Sequence, residues 1–291
     1  MTADWTLEEG HFGPRMVMMA SWSPEALSAA RAAGVRELEL NYAKGWCGRD
    51  VSFLEELRGT LAWLKIIHFN LDNVTPVNAL RQLRYLDVNT YCRTEIDFSR
   101  FPMLEECCLE WRPKARSLFA HAGIKRLWVN HCPERDLKNL VGMKSLESLR
   151  LASSRLVKLE GIEALRKLTF LGVYSARGLT TIRGVDQLPD LVHLEVNGCR
   201  KLEDISPVGG ARRLRTLHLC NDGPIQSLAP LRALRELEVF LFYESTNIID
   251  GDLSVLLQLP NLRDTAFQER RHYSHRRVDL PSLSQRVPTN R

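Results

Sequence analysis

LESLRLASSRLVKLEGIEALRK, residues 146 to 167, carries its apolar side chains at Leu146, Leu149, Leu151, Leu156, Leu159, Ile162 and Leu165. The first half alternates Leu149-Arg150-Leu151 with period two, which predicts a short strand. The second half spaces apolar residues by three, which suits a tight, 3₁₀-like return. Ser154 falls where the backbone must turn off the strand. Both halves point their leucines to one side, so a single 22-residue unit cannot bury them and needs copies of itself above and below.

Those copies are present. From Val35 to Leu262 the frame LxxLxL recurs eleven times, with first positions that include Leu64, Leu146, Leu168, Leu191, Leu214 and Leu234. Regular spacing lies in the middle and irregular spacing at the ends, as expected when terminal repeats serve as caps. On this frame, over roughly residues 35 to 270, the chain resembles the leucine-rich-repeat family, and its 22-residue units look like the internalin-like subclass. The resemblance implies an α/β solenoid: a concave parallel sheet of about eleven short strands, helical or 3₁₀ returns on the convex side, and a protein-binding role. It is similar in this respect to bacterial cytosolic members.

A chain of 291 residues can form one solenoid, because such folds grow by stacking and need not divide. Residues 1–34 read as an N-terminal cap, with Ser23-Pro24-Glu25 as a helix start and Gly34 as its stop. Residues 35–275 read as the solenoid with its C-terminal cap, and residues 276–291, with two prolines and few apolar residues, as a flexible tail. Acids stand near the N-terminus where a secretory leader would carry bases, and no apolar run is long enough to span a bilayer, so a cytoplasmic protein is expected. Seven cysteines without a CxxC pair suit reduced thiols. Cys132 and Cys199 fall at the ninth repeat position, usually Asn in such repeats, and Cys107 at an inward one; all three read as structural.

The surface follows from strand geometry. If the fourth and sixth positions of LxxLxL face the core, the third, fifth and seventh face out. On this frame the outward rows hold Glu37, Glu39, Asp87, Glu106, Glu110, Glu195, Glu236, Glu238 and Asp264, against Arg126 and Arg150. The whole chain is +5, so its bases must lie elsewhere. Second positions, among them Lys65, Arg84, Lys125, Arg215, Arg235 and Arg263, predict a basic lateral edge. Tyr85, Trp128, Phe170, Tyr174 and Phe240 also occupy outward rows. Exposed rings framed by charge have the composition of a protein-binding surface, although rings can also pack on one another across strands.

Three clusters bear on chemistry. Glu195, His218 and Glu238 fall on one fifth-position row with His193 beside them, so His218 is expected to hold its proton more tightly than a free histidine. The row reads as a charged ladder, with a metal or an acid/base pair as the alternative. ERRHYSHRR, residues 269 to 277, either docks the chain end or touches nucleic acid. No phosphate-binding glycine loop, HExxH, GxSxG or zinc CxxC pair occurs, so neither catalysis nor a cofactor is indicated.

The sequence reads as a non-catalytic module that clamps a basic protein. Its predicted contact residues are Tyr85, Asp87, Glu106, Glu110, Trp128, Arg150, Phe170, Tyr174, His193, Glu195, His218, Glu236, Glu238 and Phe240. An immunity-type inhibitor of a toxin or nuclease is what the resemblance implies. The alternative is nucleic-acid binding or a metal-dependent activity using the basic edge and the His/Glu rows. No membrane or small-molecule partner is indicated.

Overall fold

In each repeat, three positions spaced as LxxLxL drive one strand edgewise onto the next while the following turn folds back beneath it. The structure, a computed structural model, describes residues 3–281 and falls into two compact units, divided after Asn130. In the first unit, β1 (Trp5–Glu9) and β2 (Pro14–Met18) form an antiparallel hairpin. β2 then runs parallel to β3 (Glu37–Asn41), which is followed in order by β4 (Trp63–Ile67), β5 (Tyr85–Asn89), β6 (Glu106–Glu110) and β7 (Arg126–Asn130). The only α-helix among the described residues, α1 (Pro24–Ala32), starts where Ser23 accepts a hydrogen bond from the Ala26 N–H and Pro24 presets the first turn. Gly34 follows it with a positive φ of 61°.

In the second unit, β8 (Ser148–Ala152), β9 (Phe170–Tyr174), β10 (His193–Asn197), β11 (Thr216–Cys220), β13 (Val239–Tyr243) and β15 (Asp264–Phe267) run parallel in that order. A separate two-stranded ladder joins β12 (Pro224–Ile225) to β14 (Asn247–Ile248). The returns are short 3₁₀ turns such as Ile162–Ala164 and Val185–Gln187. Eleven repeat strands are therefore described, five in the first unit and six in the second. Leu149, Leu171, Leu194 and Leu217 pair across β8 to β11 and are fully buried, one continuous row of fourth positions as the frame predicts.

Two repeats carry a different frame from the one read in sequence. Leu64 pairs with Leu38 and Phe240 pairs with Leu217, so both are fourth positions, and the first positions are Leu61 and Leu237. The physical cause is that the returns are also spaced by three. Leu231, Leu234, Leu237 and Phe240 offer the same apolar step at every third residue, and a sequence pattern cannot choose among them. The backbone does choose. Within each unit, second-position carbonyls accept two N–H groups from the next repeat: Arg36 O from Ala62 and Trp63, Ala62 O from Arg84 and Tyr85, Arg215 O from Glu238 and Val239.

The eighth position marks the turn off the strand. In the second unit His131, Ser175, Gly198, Asn221 and Glu244 all stand there with φ between 53° and 74°. A non-glycine residue in this region costs roughly 1 to 2 kcal/mol. Ser175 is exposed, so Ser175→Gly is expected to be neutral or stabilising by up to about 1 kcal/mol in urea unfolding.

The segment 269–277 closes the end of the second unit. An Arg270 guanidinium nitrogen donates to the carbonyls of Glu244 and Thr246 at 3.0 and 3.2 Å, and the Tyr273 hydroxyl accepts from the Ile248 N–H at 3.1 Å. The arginine meets backbone carbonyls here, rather than solenoid carboxylates. Of the expected tail, Arg276–Pro281 continues this docking. Leu280 is buried, and the Pro281 carbonyl accepts from both the N–H and the hydroxyl of Thr265 on β15. Residues 282–291 lie outside the described residues.

Candidate functional site

The corrected frame changes which side chains share the outward face. In the first unit the third-position row runs Glu37, Trp63, Tyr85, Glu106, Arg126, and the fifth-position row Glu39, Lys65, Asp87, Cys108, Trp128. Lys65 therefore stands among the carboxylates and not on the lateral edge. Its ammonium lies 3.9 Å from Glu39, which also takes Lys44 at 2.8 Å. Burial opposes the charge on Glu39, but these cations and the Asn41 amide hold its carboxyl below the ordinary range. Burial outweighs Lys65 at Asp87, whose carboxyl is pushed up to about 6.

The rings of this unit divide into two groups. Trp63 and Tyr85 stack at 4.8 Å under the Arg15 guanidinium, which also pairs with the buried Glu37. Trp128 instead is 44 % exposed, with its indole N–H donated to Asn130 and Arg126 paired to Glu106 nearby in register. A second exposed set was not foreseen. Tyr42, Phe69 and Tyr91 follow the ends of β3, β4 and β5 and pack in a ribbon at centroid distances of 5.4 and 4.9 Å, with Tyr91 67 % exposed. The recurrence of a ring just after successive strands was the available signal, but it is visible only once Leu61 is taken as a first position.

In the second unit six outward side chains from β8 to β11 form one connected cluster. The Arg150 guanidinium lies 3.8 Å over the Phe170 ring, and Phe170 stacks on His193 at 4.6 Å. His193 Nε2 is 2.9 Å from Glu195 Oε1, and His218 Nδ1 is 3.7 Å from the same oxygen. The Tyr174 hydroxyl donates to the other oxygen, Glu195 Oε2. Tyr174 can lie there because Gly172 has no side chain; a Cβ at Gly172 would come within 2.6 Å of the phenol oxygen. Burial and the hydrogen bond to Glu195 push the Tyr174 phenol up to about 12. Burial raises Glu195, but the bonds from Tyr174 and His193 outweigh it and hold the carboxyl below its ordinary value.

Three expectations are corrected here. Phe240 is fully buried on the core side of β13 and offers no ring to a partner. Glu238 is not beside His218; the neighbour of His218 on β13 is Leu241. His218 accordingly sits below the usual histidine range, because burial and then His193 disfavour the charged ring more than Glu195 favours it. Glu236 and Glu238 belong to the lateral edge, where Glu236 faces Arg215 at 3.5 Å and Glu238 pairs with Arg263. That edge is a mixed ladder. In the first unit, likewise, Glu105 takes Arg84 at 2.7 Å and Lys125 at 3.3 Å. Counted on the outward rows, the first unit holds five carboxylates (Glu37, Glu39, Asp87, Glu106, Glu110), the first three of them buried, against Lys65 and Arg126, with Arg15 in register beside Glu37 and Lys44 paired to Glu39. The second holds Glu195 and Asp264 against Arg150.

All seven cysteines are free thiols. Burial pushes Cys132 up to about 11 and Cys108 and Cys199 to about 12, so none of these is an activated nucleophile. No described helix is long and apolar enough to cross a membrane.

Neither the protein-family models nor the curated proteins offer a match to this sequence. Solved structures do match its fold. An internalin from Listeria monocytogenes (inlF) aligns with a TM-score of 0.60 at 16% identity, over 89% of this chain and 83% of that one. The fold is a leucine-rich-repeat solenoid. Internalin C2 from the same organism aligns with a TM-score of 0.53 at 18% identity, over 74% of this chain and 84% of its own. The functional domain of InlJ, also from Listeria monocytogenes, gives 0.52 at 21% identity, over 72% of this chain and 46% of that one. The repeats of this leucine-rich-repeat solenoid are internalin-like in their parallel strands and 3₁₀ returns.

Proposed function

We propose that the protein is a non-catalytic binding module for a basic protein, and that the outward face of its first unit makes the contact. The observation that carries this reading is that large rings remain on the surface there, Trp128 on the face and Tyr91 on its margin, beside rows where carboxylates outnumber cations. Leaving rings in water gains nothing for a fold whose leucine rows are already buried, whereas a partner that covers them gains their apolar area. Glu106 and Glu110, the carboxylates of these rows that are not buried, would steer a cationic surface and the rings would hold it. A leucine-rich-repeat fold supports protein recognition in general, and the acid bias is what favours a basic partner such as a toxin or nuclease held by an immunity-type inhibitor. Cytoplasmic residence is the matching expectation.

The test is kinetic. After capture of the partner from source lysate, Glu106→Lys with Glu110→Lys should slow association and flatten its salt dependence, because exposed charge is screened by salt. Trp128→Ala should instead speed dissociation and cost about 2 kcal/mol or more at a hot spot. Surface binding kinetics at two salt concentrations reads both. If these variants bind as wild type while Arg276→Glu with Arg277→Glu loses binding, the contact lies on the docked C-terminal segment and the proposal fails.

A further inference from the structure

The cluster on β10 and β11 has donors of a kind that protein binding does not require. Glu195 and His218 are direct partners in the β10/β11 register, and His193 precedes Glu195 by two residues on the same face. One ligand atom from each of the three lies within 4.8 Å of the others. A tetrahedral zinc site with bonds of about 2.0 to 2.1 Å has edges of about 3.3 to 3.4 Å. The two separations from Glu195 Oε1, 2.9 Å to His193 Nε2 and 3.7 Å to His218 Nδ1, bracket that edge. Side chains on a sheet normally diverge; here they converge, with His193 and Glu195 each held from behind and His218 set edge-on to the His193 ring at 5.2 Å.

That support is specific. His193 is held flat against Phe170 by stacking at an interplanar angle of 16°, and Phe170 is itself covered by Arg150. Glu195 is held by Tyr174, which occupies Oε2 and leaves Oε1 toward both imidazoles. Outer-shell donors that fix a ligating carboxylate or imidazole are the usual companions of a metal site. Gly172 is part of the same arrangement, since any side chain there would displace the phenol.

We propose that His193, Glu195 and His218 bind one divalent transition-metal ion of the zinc class, with Tyr174 as the positioning residue for Glu195 and water completing the coordination. Two imidazoles and one carboxylate are borderline donors that suit zinc better than calcium or magnesium, which take all-oxygen sets. The site stands independently of the protein-binding reading, because it belongs to the second unit and uses none of the first unit's rings or acids.

The experiment titrates chelator-treated full chain with zinc chloride by calorimetry, and with cobalt chloride as a visible-absorption probe of four-coordinate nitrogen and oxygen ligation. Wild type should take up one zinc per chain, and zinc should raise its melting temperature. His193→Gln and His218→Gln each keep a polar group against Glu195, and each should weaken zinc by about 100-fold or more, beyond the 10- to 100-fold typical of an outer-shell loss. Tyr174→Phe should weaken it about 10-fold, with the stoichiometry unchanged. Melts without metal establish that each variant is folded, and Glu195→Gln serves if one is not. No zinc uptake by wild type overturns the proposal. So does full zinc affinity in the His→Gln variants, or a strong near-ultraviolet cobalt–thiolate band, which would place the ion on cysteine.

Discussion

Leu171→Ala is expected to destabilise the protein by about 2 to 5 kcal/mol, the range for a buried leucine whose removal leaves a cavity that its surroundings only partly fill. Leu171 has Leu149 on one side and Leu194 on the other, both in register and all three without exposed surface. A globular core can relax toward such a cavity from several directions. In a stack of repeats, relaxation would have to shorten the spacing between strands, which the hydrogen bonds of the ladder fix at about 4.8 Å. The loss should therefore fall in the upper part of the range, read from the midpoint of urea unfolding. A cost below about 1 kcal/mol would mean that the row is not continuous.

The second large effect concerns Asp222. This side chain is 1 % exposed, accepts the Cys199 N–H at 2.8 Å, and has no described partner for Oδ2. Burial pushes its carboxyl up to about 7 from 3.8, against the hydrogen bonds from Cys199 and Cys220. The folded state thus holds the proton more tightly than the unfolded chain does. The stability this contributes is fully present below the unfolded value and is lost as pH rises through about 7. Between pH 4 and pH 8 the loss is of the order of 2 to 4 kcal/mol. Asp222→Asn keeps the size and the acceptor for Cys199 but cannot ionise. Its unfolding free energy should fall less than that of wild type across that range, with the buried Asp87 carboxyl still contributing a loss up to about pH 6, and should exceed that of wild type at pH 8. Parallel pH profiles for the two proteins would show that Asp222 does not carry the dependence.

Asp222 also shows where a sequence stops being readable. It is the ninth residue of the repeat that begins at Leu214, the position at which Cys132 and Cys199 were recognised. There an aspartate looks like a conservative stand-in for asparagine. Its strain comes from burial, and burial at a turn depends on Thr246, whose hydroxyl accepts the Asp222 N–H from the following repeat.

The fold itself was legible because the leucine rows recur at fixed positions, and the row from Leu149 to Leu217 lies where its spacing put it. The site was legible only in part. Phe170, Tyr174, His193, Glu195 and His218 lie in repeats whose frame was read correctly, and the structure brings all five together. Phe240, Glu236 and Glu238 lie in a repeat where apolar residues fall at every third position, so a slip of three moved a core ring outward and two edge acids onto the face. Lys65 was misplaced for the same reason. The role of Gly172 had no signal in sequence, because it depends on the path of a ring two residues away.

The carbonyl of Pro281 has a further consequence, for how the molecule is made. Repeat proteins add strands to an open edge, and during synthesis that edge accepts any extended segment that can supply a carbonyl. On β15 the segment Arg276–Pro281 fills this place from within the chain, closing on the N–H of Thr265. A nascent or cleaved chain that ends before residue 276 would expose the β15 backbone, and strand exchange between neighbouring molecules then competes with completion of the fold.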